Sequence, residues 1–325
     1  MPEACRISVV VPMHNESENV RPFYDRTRAV LDGTGEPWEI VCVDDGSRDD
    51  TLAQLVALHR ADGRVKVIEL SRNFGKEIAL TAGLDAAAGD VIIPIDADLQ
   101  DPPELIPEML AKWREGYDVV YATRLERACE TWLKRTTAAA FYMLIARLSE
   151  IPIPPDTGDF RLMARPAAEA LRGVREQNRF MKGLFAWVGF RQYGLKYQRD
   201  PRVAGTTKWS YWRLIRLAIE GITSFSSAPL QLATWLGLAV ATFSFVYGAF
   251  RIVITLLYGN PVAGYPSLMV VMLFLGGVQL ITLGIIGEYI GRIYQEVKRR
   301  PLYLVRSVYG LADDVRSRTP TPNQP

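Results

Sequence analysis

The sequence predicts an α/β domain built on a parallel sheet with helices on both faces, followed by a membrane-associated helical part. Three observations carry this. Short apolar strand patterns alternate with helical patterns over the first 125 residues or so, the signature of a parallel sheet. Acidic residues gather just after those strands, where open α/β sheets bind ligands. The final third holds two long apolar runs flanked by basic residues, each of a length that spans about 30 Å of hydrocarbon.

The elements follow in order. Ile7 to Val11 reads as a first strand ending in Pro12-Met13-His14-Asn15-Glu16, with a helix from about Ser17 to Leu31. Ile40 to Val43 is a second strand, ending in Asp44-Asp45-Gly46-Ser47, and helix continues to about Arg60. Val65 to Leu70 is a third, followed by Ser71-Arg72-Asn73-Phe74-Gly75-Lys76-Glu77 and a helix through Ala88. Val91 to Ile95 is apolar throughout, as a strand buried on both faces must be. It runs into Asp96-Ala97-Asp98-Leu99-Gln100-Asp101-Pro102-Pro103, then a helix to Gly116 and a fifth strand at Tyr117 to Ala122.

Residues two apart on an extended chain point to one side, so Asp96 and Asp98 can address one hard divalent cation. They suit equally well the capping of the turn or of the helix near Pro103. Glu16 and Asp45 have the same double reading, as ligand groups or as helix-terminal and turn residues. Neither GxGxxG nor GxxxxGK[ST] occurs, which disfavours dinucleotide and P-loop chemistry. The formal net charge of +2 over 325 residues does not mark a nucleic-acid binder. Cys5, Cys42 and Cys129 lie far apart, indicating neither a disulfide framework nor a zinc site, and two histidines exclude a multi-histidine metal centre. The first residues lack the apolar core of a signal peptide, so the catalytic part is expected in the cytoplasm.

VVPMHNE, VDDGSRDDT, SRNFGKE and DADLQDPPE, in this order and spacing, resemble glycosyltransferase family 2, and more narrowly its polyprenyl-phosphate glycosyltransferases. The resemblance runs on through IGEYIGRIYQEVKRRPLY near the end. It implies a GT-A, Rossmann-like catalytic fold with Mg²⁺ or Mn²⁺ held at Asp96 and Asp98, with Gln100 beside the metal. It also implies nucleotide-sugar contacts from Pro12, His14, Glu16, Val43, Asp45, Asp96 and Ala97. Arg124 is placed to meet a diphosphate, since a guanidinium fork matches phosphate oxygens. Asp159 matches the family's acidic position near the acceptor, proposed there as a base. A lipid phosphate, with a second pKa of about 6 as in phosphoserine, needs little deprotonation, so orienting a cation such as Arg161 stands as the alternative role for Asp159. Arg202 and Lys208 match positions that bind phosphate.

Residues 1–207 are therefore expected to form the catalytic domain and 208–228 an amphipathic helix in the membrane interface. Two spans are expected within 229–291, at about 230–257 and 267–290, followed by a basic tail over 292–325 with a disordered end. Basic residues on the outer flanks of the pair predict both termini on the cytoplasmic side of a bacterial inner membrane. Gly287/Gly291 and Gly237/Ala241 are small-residue pairs that suit close helix packing, and relatives form oligomers, so a homo-oligomer is expected. The implied reaction is inverting transfer of a sugar, glucose from UDP-glucose, to polyprenyl (undecaprenyl) phosphate. Donors such as GDP-mannose, UDP-formamido-arabinose or UDP-N-acetylhexosamine are alternatives. A processive polysaccharide synthase or a non-catalytic membrane adaptor is disfavoured by the missing QxxRW motif, the two spans and the intact acidic strand ends.

Overall fold

A computed structural model of the chain describes residues 6–124, 157–177, 179, 181–197, 228–258 and 264–311. The strands are β1 (Ile7–Met13), β2 (Trp38–Asp44), β3 (Val65–Leu70), β4 (Val91–Pro94), β5 (Val119–Arg124), β6 (Thr157–Ala164), β7 (Gln192–Tyr197) and β8 (Val305–Tyr309). The helices are α1 (Ser17–Thr34), α2 (Thr51–Ala61), α3 (Lys76–Ala86), α4 (Ile106–Arg114), α5 (Arg165–Gly173), α6 (Met181–Trp187), α7 (Ala228–Tyr258) and α8 (Tyr265–Val297).

Among the described residues the eight strands form one sheet in the order β7-β5-β6-β4-β1-β2-β3-β8. Its centre is parallel, with β1 between β2 and β4 and β2 beside β3. Alternate side chains enter two cores. Val9, Val11, Ile40, Cys42 and Ile93 pack on the face covered by α1, α2 and α4. Val10, Val41, Val43, Ile68 and Ile92 pack on the face covered by α3 and α5. Gly83 lets α3 lie against β1, because a Cβ there would overlap the Val10 side chain. Burial pushes the Cys42 thiol up to about 12, the inert free thiol expected of a core cysteine.

The sheet departs from the all-parallel expectation at two places. β6 runs antiparallel between β4 and β5, and β8 antiparallel along the β3 edge. Neither reversal is visible in a local pattern, because a buried strand looks alike in either direction. The first reversal builds the site. It brings Asp159 beside Asp96, so that both carboxylates lie within 2.9 Å of the Lys76 nitrogen.

The second reversal takes in residues that the sequence reads as part of the basic tail. After α8 the chain returns to the catalytic sheet, and Tyr303 is buried in the core shared with α3 and α5. The Tyr303 hydroxyl donates to Asp85 Oδ2 at 2.7 Å, where Arg175 also pairs. The Gln177 N–H donates to Glu296 Oε1 at 2.7 Å, and the Ser71 N–H to the Leu304 carbonyl at 2.9 Å. Residues 312–325 lie outside the described residues, as does the expected interfacial helix over 208–227.

α7 and α8 have 31 and 33 residues, so at 1.5 Å per residue each exceeds the roughly 30 Å of a bilayer core. Both are apolar enough to cross a membrane over Ala233–Phe250 and Phe274–Val297. They display their large side chains outward; Phe245 is 79% and Leu256 80% exposed. Glu288 pairs with Arg292 one turn on at 3.1 Å. The small-residue positions Gly237, Gly287 and Gly291 face open space, so these glycines do not serve the contact between α7 and α8.

Candidate active site at the carboxyl ends of the strands

The site begins with a clamp. Asp45, just past β2, is buried, and its two carboxylate oxygens accept the N–H groups of Phe74 at 2.7 Å and Gly75 at 2.9 Å. This draws the loop after β3 onto the end of β2 and forces Gly75 to φ +100°, a conformation favouring glycine. α3 then starts at Lys76, directed toward β4.

The Lys76 ammonium lies 2.7 and 2.9 Å from the two carboxylate oxygens of Asp96 and 2.6 Å from Asp159 Oδ2. Desolvation in the cleft opposes its charge, but the Asp159 and Asp96 carboxylates outweigh it and hold the ammonium above its ordinary range. Burial raises the Asp96 carboxyl against the pull of Lys76, with the Asp159 and Asp101 carboxylates adding to the rise. Asp159, read above as a base or as the partner of a cation such as Arg161, places its carboxylate on Lys76. Arg161 instead lies buried beneath, donating to the carbonyls of Gly158 at 2.8 Å and Asp159 at 3.4 Å while covering the Phe185 ring at 3.6 Å. Burial lowers its pKa to about 10, which leaves it charged at neutral pH.

Asp98 accepts the Gln100 N–H at 3.2 Å across a tight turn. Leu99 between them takes φ +54°, which costs a non-glycine residue on the order of 1–2 kcal/mol. Ala97 and Leu99 are buried and anchor the turn, while Asp96, Asp98 and Gln100 remain partly accessible. Gln100 Oε1 is buried with no hydrogen-bond partner. Tyr197 on β7 donates to the buried Asp101, bracing the turn from the far side of the sheet.

The ends of β1 and β2 complete the rim. His14 Nδ1 meets the Asp45 carbonyl at 2.8 Å, which requires that nitrogen to carry the proton. Asn15, at φ +55°, receives the Arg48 N–H and donates its own N–H to Ser47, locking the two turns together. Glu16 accepts from Asn19 at 2.5 Å. Asp44 is buried with one oxygen on the Ser47 N–H and the other without a partner; burial, with Glu69 adding, pushes its carboxyl up. Pro12 and Val43 are register partners at the ends of β1 and β2, and the Val43 side chain is buried in the core.

The fold thus gathers Asp96, Ala97, Asp98, Gln100 and Asp159 beside the ends of the strands that carry Pro12, His14, Glu16, Val43 and Asp45. Arg124 ends β5 in register with Tyr197, though its side chain is outside the described residues, as are Arg202 and Lys208 altogether. Lys76 escaped the sequence reading although it sits inside SRNFGKE. A lysine after a glycine at a helix start reads as solvated, and only the antiparallel β6 supplies its second carboxylate. For a divalent cation, no three His, Cys, Asp or Glu side chains converge among the described residues. Asp96, Asp98 and the orphaned Gln100 oxygen are hard donors, and they fit a cation that keeps positions for water and phosphate oxygens.

Comparison with known proteins shows the family. The family "Glycosyl transferase family 2" matches residues 8–172, and "GtrB C-terminal hairpin" matches residues 228–293. The chain is 55% identical to an uncharacterized glycosyltransferase of Synechocystis over 305 residues, covering 94% of this chain and 96% of that one. It is 50% identical over 301 residues to the bactoprenol glucosyl transferase of Shigella phage SfII, covering 93% and 97%. Among solved structures, a glucosyl-3-phosphoglycerate synthase of Mycobacterium tuberculosis is 20% identical, with a TM-score of 0.48, over 68% of this chain and 79% of that one. With its central parallel strands, its acidic strand ends and its apolar hairpin, the chain belongs to glycosyl transferase family 2.

Proposed function

We propose that the protein transfers glucose from UDP-glucose to the phosphate of a polyprenyl phosphate held in the membrane, with inversion at the anomeric carbon. A phosphate oxygen of the acceptor forms the new bond to the anomeric carbon as the bond to the donor's β-phosphate oxygen breaks, and UDP leaves. One observation carries the reading. The carboxylate cluster of Asp96, Asp98 and Asp159 belongs to a sheet whose edge strand β8 is reached only through the apolar hairpin, so transfer chemistry and a hydrocarbon anchor share one folded unit. The relatives named bactoprenol glucosyl transferases, about half identical along nearly the whole chain, support both donor sugar and acceptor class.

Asp96, Asp98 and Gln100 would hold Mg²⁺ or Mn²⁺, which supplies charge neutralisation for the departing diphosphate. The rim at His14, Glu16 and the Asp45 turn receives the nucleoside, and Arg124, Arg202 and Lys208 meet phosphate groups. Asp159 faces the acceptor. Its carboxylate is held by Lys76, which suits orientation of the incoming phosphate better than removal of a proton. The catalytic domain and both termini lie on the cytoplasmic side of the inner membrane, with copies associating through the open helix faces.

The test is transfer by full-length protein in detergent from a panel of radiolabelled UDP-glucose, UDP-galactose, UDP-N-acetylglucosamine and GDP-mannose to undecaprenyl phosphate. UDP-glucose should give a chloroform-soluble, acid-labile glucolipid that disappears with EDTA. A glucolipid formed equally well in EDTA removes the metal, and lipid product from another donor alone removes glucose.

A further inference from the structure

Beyond holding Asp159, Lys76 also engages the carboxylate read above as a metal ligand. It is the first residue of a helix fixed to the sheet by the Asp45 clamp, and its nitrogen ties the end of β4 to the start of β6. The ammonium straddles both oxygens of Asp96, at 2.7 and 2.9 Å, so a metal ion approaching that carboxylate meets a like charge and two lone pairs already engaged. The third contact, 2.6 Å to Asp159, is to a side chain only 12% exposed. Two carboxylates within reach of one nitrogen repel unless a cation stands between them.

We propose that Lys76 is an internal stand-in cation and a positioning residue. In the metal-free protein it occupies Asp96 and competes with the divalent ion; once the ion and donor are bound it remains on Asp159 and fixes that carboxylate toward the acceptor. This deepens the metal-dependent transfer reading and rests on it. A lysine that merely stabilised the fold would, on removal, weaken metal binding and transfer together. A stand-in cation predicts opposite signs, because the vacated Asp96 gains affinity for metal while Asp159 loses its anchor.

The experiment compares wild type, Lys76→Met and Lys76→Arg as full-length proteins in detergent. Mn²⁺ binding without donor is read from the paramagnetic signal of free Mn²⁺. Lys76→Met should bind Mn²⁺ about fivefold more tightly, the equivalent of about 1 kcal/mol. Its kcat should fall about thirtyfold or more with the donor KM within about threefold, as expected when orientation rather than binding is lost. Lys76→Arg, which keeps a cation, should bind Mn²⁺ within about twofold of wild type. Unchanged or weaker Mn²⁺ binding in Lys76→Met, or retained kcat, overturns the proposal. Should Lys76→Met not fold, Lys76→Gln carries the same two expectations. A wild type that binds Mn²⁺ but makes no lipid-linked sugar defeats the transfer reading, while the Mn²⁺ comparison still judges Lys76.

Discussion

Glu39 and Asp44 lie near opposite ends of β2, both buried, and the protein treats them oppositely. At the amino ends, Glu39 on β2 is buried but accepts from the Ser8 hydroxyl at 2.5 Å and the Ala88 N–H at 2.8 Å. It also pairs with Lys66 at 2.7 Å and Arg6 at 3.2 Å. Burial pushes the carboxyl up, and these partners outweigh it and hold it below the usual range. At the carboxyl ends, Asp44 and Asp96 are pushed above it, and Asp44 Oδ1 and Gln100 Oε1 are buried without partners. Closed valences mark carboxylates that hold the fold together. Open ones, which cost about 1–3 kcal/mol per buried unsatisfied group, mark where a ligand is expected.

The sharpest way to break this contrast is to remove one carboxylate from each end. Asp98→Ala should reduce transfer by about a thousandfold or more, about 4 kcal/mol of transition-state stabilisation, while the melting temperature stays within about two degrees. Comparable losses of activity and stability would mean that the turn, not the ligand, needs Asp98. Glu39→Ala should do the reverse, costing about 3–5 kcal/mol in urea unfolding because it leaves Ser8, Lys66 and the Ala88 N–H facing an emptied site. Transfer per folded molecule should be unchanged. A shift in donor KM without loss of stability would contradict the division of labour between the two ends.

The same contrast explains what could be read in advance. The strand–helix alternation, the DAD turn and the two apolar helices are local patterns of period and composition, and Asp96 and Asp98 stand out through them, while Gln100 came from the resemblance. Asp159 came from family resemblance alone; its place beside Asp96 depends on β6 reversing direction, which its own residues do not encode. Lys76 and the Asp45 clamp depend on contacts between residues 20 to 83 positions apart, and nothing in either segment announces the other. The return of residues 302–309 to the sheet is not announced locally, because basic residues after a span read as a tail and no regular alternation marks the strand.

That return supplies a smaller effect, midway between the two ends. The buried Tyr303 hydroxyl donates to Asp85, and burial with the Asp85 charge raises its pKa. Tyr303→Phe removes one hydrogen bond to a charged acceptor that Arg175 still partners, so unfolding should cost about 1.5–3 kcal/mol less. Because β8 borders β3 and not the site, kcat should fall only if the strap also sets the catalytic domain's height above the membrane. Comparing rates on lipid-embedded and detergent-dispersed acceptor separates the two effects.

The pH dependence of stability tests the contrast with the smallest change. Asp62, at the amino end of β3, is held at about 2, chiefly by hydrogen bonds from the Arg64 side chain, with the Arg64 N–H and the Tyr24 hydroxyl adding. In the unfolded chain it titrates near 3.9. A depressed acid stabilises the fold above its unfolded pKa, and that contribution is lost as pH falls from about 4 toward 2. With Arg64 partly in solvent it amounts to about 1–2 kcal/mol. Asp62→Asn should therefore lose that much at pH 7 and flatten the acid limb of the stability curve. Asp44 carries the opposite sign. Its raised carboxyl costs stability while ionised and relieves the fold as pH falls through its folded pKa, so Asp44→Asn should melt slightly higher than wild type at pH 7. If both variants shifted the curve in the same direction, the two ends of the sheet would not differ in the way their hydrogen bonds require.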